Sequence, residues 1–421
     1  MSNHTHNPVP SSALMSPQLI KSRQMITVAY YVTFIAIGMV VASLGPTLSR
    51  LAENTQTAIS QISLLFTAKA LGFILGSLLG GYLYDRVTGH PVMAGMVVLV
   101  ALGLAFVPLI STFWLLILLI FLIGLVDAVI DVGGNTLLVW LHRDKVEPYM
   151  NALHFFFGVG AALSPVIFAQ ALRLTDDITW GYWVLALLTF PVSFWLVRLP
   201  SPEAPKKTED VPYRPVEPYL LGLLIVLFFL FVSAEASFGG WIATYVFRSD
   251  LADEAYAADL TFAFWATLTV GRLLSIPIAM RFHVKQILAA DLLLCLAGVS
   301  LILLWPQTLV MIWVGTSLFG LGVASMFPIG ISITEKHMTV SGRITSFLFV
   351  GGALGGMSTP WLIGQLFDVY GPLSVMWVIL AVVISAIGVY ILLSSVGPRD
   401  GADLRGSRTI ERHRAGGAGS V

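Results

Sequence analysis

Arg198-Leu199-Pro200-Ser201-Pro202-Glu203-Ala204-Pro205-Lys206-Lys207-Thr208-Glu209-Asp210-Val211-Pro212-Tyr213-Arg214-Pro215-Val216-Glu217-Pro218 divides the chain in two. Proline lacks the amide hydrogen a helix needs, and the stretch is charged, so it reads as a linker. On its amino-terminal side, apolar segments fall near 26–48, 59–84, 91–110, 113–140, 149–172 and 179–197. On its carboxyl-terminal side they fall near 218–246, 256–280, 286–304, 309–333, 342–366 and 373–394. Each matches the ~20 residues that cross a bilayer as a helix. A lipid-exposed segment must satisfy its backbone hydrogen bonds internally, which selects helices. Barrel strands would alternate with period two over ~10 residues, and these segments do not. The expected fold is an all-α membrane protein with twelve transmembrane helices in two six-helix bundles. Its parts are a tail (1–25), a bundle (26–197), the linker (198–217), a second bundle (218–394) and a basic tail (395–421).

Composition agrees. Of 421 residues, 57% are hydrophobic and 11% charged, against about 25% charged in soluble domains. That excludes a water-soluble globule, and equally a disordered chain. Zero net charge gives no attraction to nucleic acid. The lone Cys295 cannot form an intramolecular disulfide and reads as a small core residue. His4 and His6 in the tail read as inert, and no cleavable signal peptide is expected. Without a phosphate-binding loop or a metal-ligand cluster, neither an enzyme nor a cofactor is expected. Eighteen of the 23 Lys and Arg fall on one side of the predicted membrane, and three (Arg50, Arg173, Arg248) on the other. The basic side is cytoplasmic by the positive-inside rule. Both termini are therefore expected inside the cell membrane, the inner membrane if the cell is bacterial, with the chain a monomer in the lipid bilayer.

The halves echo each other at an offset of 195 residues: Gly45 and Gly240, Gly76 and Gly271, Arg86 and Arg281, His142 and His337, Ser164-Pro165 and Thr359-Pro360. Parallel repeats about an axis along the membrane normal are the plan of major facilitator transporters. The loop Gly80-Gly81-Tyr82-Leu83-Tyr84-Asp85-Arg86-Val87-Thr88-Gly89-His90 resembles that family's signature between helices two and three. The resemblance implies gating or structural roles for Asp85 and Arg86, with Asp85 meeting the positive amino end of a helix in the other half. The usual second basic pair is reduced here to His90. The alternative is an ordinary charged loop.

Helix four carries Asp127, Asp131 and Asn135 at i, i+4 and i+8, on one face. Acids within a span usually face a cavity or a partner. Helix two packs beside helix four in the family arrangement, so Lys69, at the depth of Asp127, is expected to pair with it. Asp131 then lacks a lysine and becomes the better site for a proton or cation. Asp131-Val132-Gly133-Gly134-Asn135-Thr136-Leu137-Leu138-Val139-Trp140 resembles helix four of the sodium-dependent glucose transporter branch. Asn151-Ala152-Leu153-His154-Phe155-Phe156-Phe157-Gly158 is similar to that branch's helix five, and Thr269-Val270-Gly271-Arg272-Leu273-Leu274-Ser275-Ile276-Pro277 to its helix eight. Related fucose–proton symporters place an acid four residues before an asparagine in helix four, which maps onto Asp131 and Asn135. Their polar pair in helix five does not map, since Asn151 and His154 are out of register.

In helix seven, Glu235 can accept hydrogen bonds and Trp241 can stack on a sugar ring; the alternative is an interfacial tryptophan with an outward acid. The match at Arg272 implies a gating or structural role. Within the spans, Lys69 and Arg272 oppose Asp127, Asp131 and Glu235, an acidic surplus that disfavours anionic substrates. The expectation is a symporter of a small neutral monosaccharide coupled to a proton or sodium, working by alternating access. Asp131, with Asp127, would bind the cation, and Asn135, Asn151, His154, Glu235 and Trp241 the sugar. The alternatives are a proton-coupled drug or metabolite antiporter and a transporter-like sensor or scaffold.

Overall fold

The computed structural model describes residues 17–203, 218–337 and 342–395. Residues 204–217 of the linker, the tail through residue 16 with His4 and His6, and the basic tail from 396 lie outside them. Among the described residues, twelve helices are long and apolar enough to cross a membrane. Spans 1 to 6 are Ser22–Ala42, Ile59–Tyr84, Gly89–Leu109, Phe113–His142, Glu147–Thr175 and Thr179–Val197. Spans 7 to 12 are Pro218–Arg248, Glu254–Ala279, Val284–Leu304, Leu309–Glu335, Ile344–Tyr370 and Ser374–Ser395. Side chains such as Leu78, Trp114 and Leu187, each about 70% exposed, would be untenable in water in such numbers and are ordinary against lipid.

Packing repeats the internal duplication. Span 2 packs on span 4, 1 on 5 and 3 on 6; span 8 packs on 10, 7 on 11 and 9 on 12. Between the halves, span 2 meets span 11 and span 5 meets span 8. Two residues related by a two-fold axis touch only on that axis. Gly45 and Gly240, 195 apart, do so: a side chain on Gly45 would run into the Gly239–Gly240 backbone. Glu53 and Arg248, also 195 apart, form an ion pair of 3.1 Å.

Span 1 ends at a break. Ser43 leaves the helix, which resumes as Leu44–Asn54. Pro46 explains it: the ring cannot donate to the carbonyl of Ala42, four residues back, and crowds it. Span 10 breaks likewise at Ala324 and Ser325, four and three residues before Pro328. His90, read from sequence as the remnant of a basic pair, is buried instead. Its ring lies 2.7 Å from the Tyr30 hydroxyl and 3.0 Å from the Leu199 carbonyl, tying span 3 to span 1 and to the start of the linker. Cys295 is a buried free thiol.

Candidate functional site: a cleft between the halves

The face at which span 1 begins, rich in arginine and lysine, is called the basic face below. At the opposite face the halves are joined by paired charges. Arg50 donates to Glu254 at 2.9 Å through Nε and to Asp176 at 3.1 Å. Burial would lower the Arg50 pKa, but the Glu254 hydrogen bond and the nearby carboxylates outweigh it and raise the pKa above its ordinary value. Arg173 pairs with Asp259 and Arg248 with Glu53. The Ser60 amide donates to Asp368, and Gln365 donates to the Ser60 carbonyl. Beneath these contacts Trp241 is fully buried, its ring 6.0 Å from that of Phe66 and 5.6 Å from that of Phe367. In this conformation its ring neighbours are phenylalanines, and it helps to seal one end.

Spans 5 and 8 meet where Gly158 faces Thr269; a side chain at 158 would strike the threonine. About one turn toward the basic face, the spans present His154 and Arg272. His154 is exposed although well inside its span, and its ring stands edge-on to Phe34 at 6.0 Å. Phe34 in turn lies against Gly134 of span 4. Here Asp131 and Asn135 are half-buried, and Asn135 Nδ2 donates to the Asp131 carbonyl at 2.9 Å and to its carboxylate at 3.3 Å. Opposite, Arg272 approaches Glu235 to 3.8 Å. Asp131 and Asn135 of span 4, and His154, Glu235 and Arg272 beside the contact of spans 5 and 8, are thus polar groups left partly or wholly exposed within the spans, with exposed Asn151 nearer the basic face. Asp85 and Arg86 are exposed at that face. Arg86 lies over the Tyr82 ring and donates to its hydroxyl at 2.9 Å.

The expected Lys69–Asp127 contact is not made. Glycines at 72, 76 and 124 seat span 2 directly on the backbone of span 4, bringing the two residues close. Lys69 Nζ instead donates to the carbonyls of Val40 and Val41 at 3.1 and 3.3 Å. Those carbonyls lie at the carboxyl end of a broken helix, where the helix dipole attracts a cation. Asp127 is fully buried, and neither carboxyl oxygen has a hydrogen-bond partner.

Besides Glu254, described above with Arg50, one more buried acid escaped the sequence reading. Asp291 of span 9 accepts a hydrogen bond from Ser325 at the break in span 10. The available signal was an acid six residues inside the ninth apolar segment. With it, the acidic surplus within the spans is larger than the sequence tally.

Comparison with known proteins now bears on this geometry. The family described as Major Facilitator Superfamily matches residues 30–360. Sodium-dependent glucose transporter 1A of Mus musculus is 31% identical, covering 82% of this chain and 90% of its own. Sodium-dependent glucose transporter 1 of Homo sapiens is 29% identical, covering 82% and 74%. Among solved structures, the nucleoside transporter NupG superposes with a TM-score of 0.72 at 13% identity, covering 89% of this chain and 99% of that one.

Proposed function

This chain belongs to the major facilitator superfamily of membrane transporters, and from that premise we propose that it is a cation-coupled monosaccharide symporter. The carrying observation is Asp131, a half-buried carboxylate within span 4 whose side-chain partner is the neutral Asn135. Glu235 and Arg272 face each other, so their charges cancel locally. What remains is one acid amid hydrogen-bonding groups, which suits a neutral polyol travelling with a cation better than it suits an anion.

In this reading the basic face is cytoplasmic, both termini are inside, and the cleft opens inward. Asn135, Asn151, His154 and Glu235 hold sugar hydroxyls. Trp241 joins them when the opposite end opens and its ring parts from Phe66 and Phe367. Asp85, Arg86, Lys69 and Arg272 serve gating and structure. Alternating access is the rocking of one six-helix half against the other. The named relatives make glucose the first sugar to test and sodium the first ion, with the proton tested beside it.

Asp131→Asn in proteoliposomes tests the proposal. Sugar counterflow is expected to persist, while accumulation driven by an imposed sodium or proton gradient is lost. A variant that concentrates sugar as well as the parent refutes the role of Asp131.

A further inference from the structure

Midway along span 4, Asp127 lines a small, partly enclosed void of about 10 Å³, together with Thr33 and Val40 of span 1, Val100 of span 3 and Thr189 of span 6. That is room for roughly one water-sized occupant. Three polar side chains line it, all almost completely buried. Both Asp127 oxygens and the Thr189 hydroxyl lack partners. The Thr33 hydroxyl donates to the Ala29 carbonyl at 2.8 Å, which leaves its oxygen lone pairs free to accept. Buried polar atoms without partners are costly, and the cost is greatest for a carboxylate.

Charge selects the occupant. The Lys69 amine is committed to the Val40 and Val41 carbonyls, which leaves the Asp127 carboxylate as the charge that faces the void. A monovalent cation cancels that charge, whereas a divalent one would leave +1 in a low-dielectric setting. Hard cations take oxygen ligands, and carboxylate and hydroxyl oxygens are what this void offers. We propose that the void between spans 1, 3, 4 and 6 is a binding site for a sodium-sized cation, held by Asp127 with the hydroxyls of Thr189 and Thr33. It is separate from Asp131, which does not line the void. The site deepens the proposed function and rests on it for the ion's purpose, while ion binding is measurable without sugar.

The test is thermal unfolding of the purified full chain in detergent, with sodium, lithium or potassium chloride replacing choline chloride at constant ionic strength. Sodium should raise the midpoint saturably, and potassium should do so far less. Asp127→Asn should abolish the response. Thr189→Val should raise the half-saturating sodium concentration ~10-fold, the equivalent of one lost contact. Asp131→Asn should weaken the response and keep it. The site is overturned if the parent shows no sodium-specific shift, if pH moves the midpoint in place of sodium, or if Asp127→Asn responds like the parent. Should Asp127→Asn fail to fold, an unchanged half-saturation in Thr189→Val overturns it. Sodium binding without sugar uptake would sink the proposed function and leave the site standing. Sodium-driven uptake untouched by Asp127→Asn would do the reverse.

Discussion

Ser43-Leu44-Gly45-Pro46 in the amino half and Ser325-Met326-Phe327-Pro328 in the carboxyl half each place a serine three residues ahead of a proline, and each span breaks at that serine. The two breaks are held differently. In span 1 the Ser43 hydroxyl turns back on the Val40 carbonyl at 2.8 Å, and Lys69 of span 2 takes the Val40 and Val41 carbonyls. In span 10 the hydroxyl of Ser325 reaches out to the Asp291 carboxylate of span 9. One local pattern thus serves opposite charges. A cation answers the acceptor end of the helix; an anion answers the donor that the break turns outward. The break itself follows from proline chemistry, and its partner depends on the neighbouring span.

Lys69→Met attacks the amino-half break and should have the largest effect. It strands two carbonyls and removes the cation nearest Asp127. The expected loss is about 3 kcal/mol, the scale of breaking a buried charge pair from one side, seen as a lower unfolding midpoint. Adding Asp127→Asn should recover part of it, and strict additivity would show that the two groups are not coupled. Ser325→Ala should cost less, about 1.5 kcal/mol for one hydrogen bond to a carboxylate. Asp291→Asn keeps an acceptor and should cost under about 1 kcal/mol. If Ser325→Ala matches Lys69→Met, the contrast between the breaks collapses. The smallest effect concerns the pair on the axis. Glu53→Arg alone should destabilise through like charge, and combined with Arg248→Glu should return to within about 0.5 kcal/mol of the parent. Equivalent positions on a two-fold axis tolerate exchange; failure of the double variant would mean that the local symmetry is only approximate.

Much of the fold was legible in the residues. Span length and the 195-residue offset follow from local hydrophobicity and local chemistry, which need no knowledge of neighbours. Asp131, Asn135 and His154 were legible as polar groups in apolar helices. The positions of Lys69 and Trp241 were not, because both depend on what stands beside them. Lys69 had two available partners at one depth, and the carbonyls opened by Pro46 were invisible as a ligand. Trp241 is buried because Phe66 of span 2 and Phe367 of span 11 stand beside its ring. Asp291 was discoverable as a lone acid in an apolar run, but its partner Ser325 comes from another span.

The sequence by itself determined that this protein crosses a membrane twelve times as a duplicated unit, because hydrophobic length and backbone hydrogen bonding act within each segment. Only the tertiary structure decided which charges meet and which stay apart. A buried charge takes the partner that interhelical packing brings within reach, and here glycine contacts between spans 2 and 4 set Lys69 against the broken end of span 1.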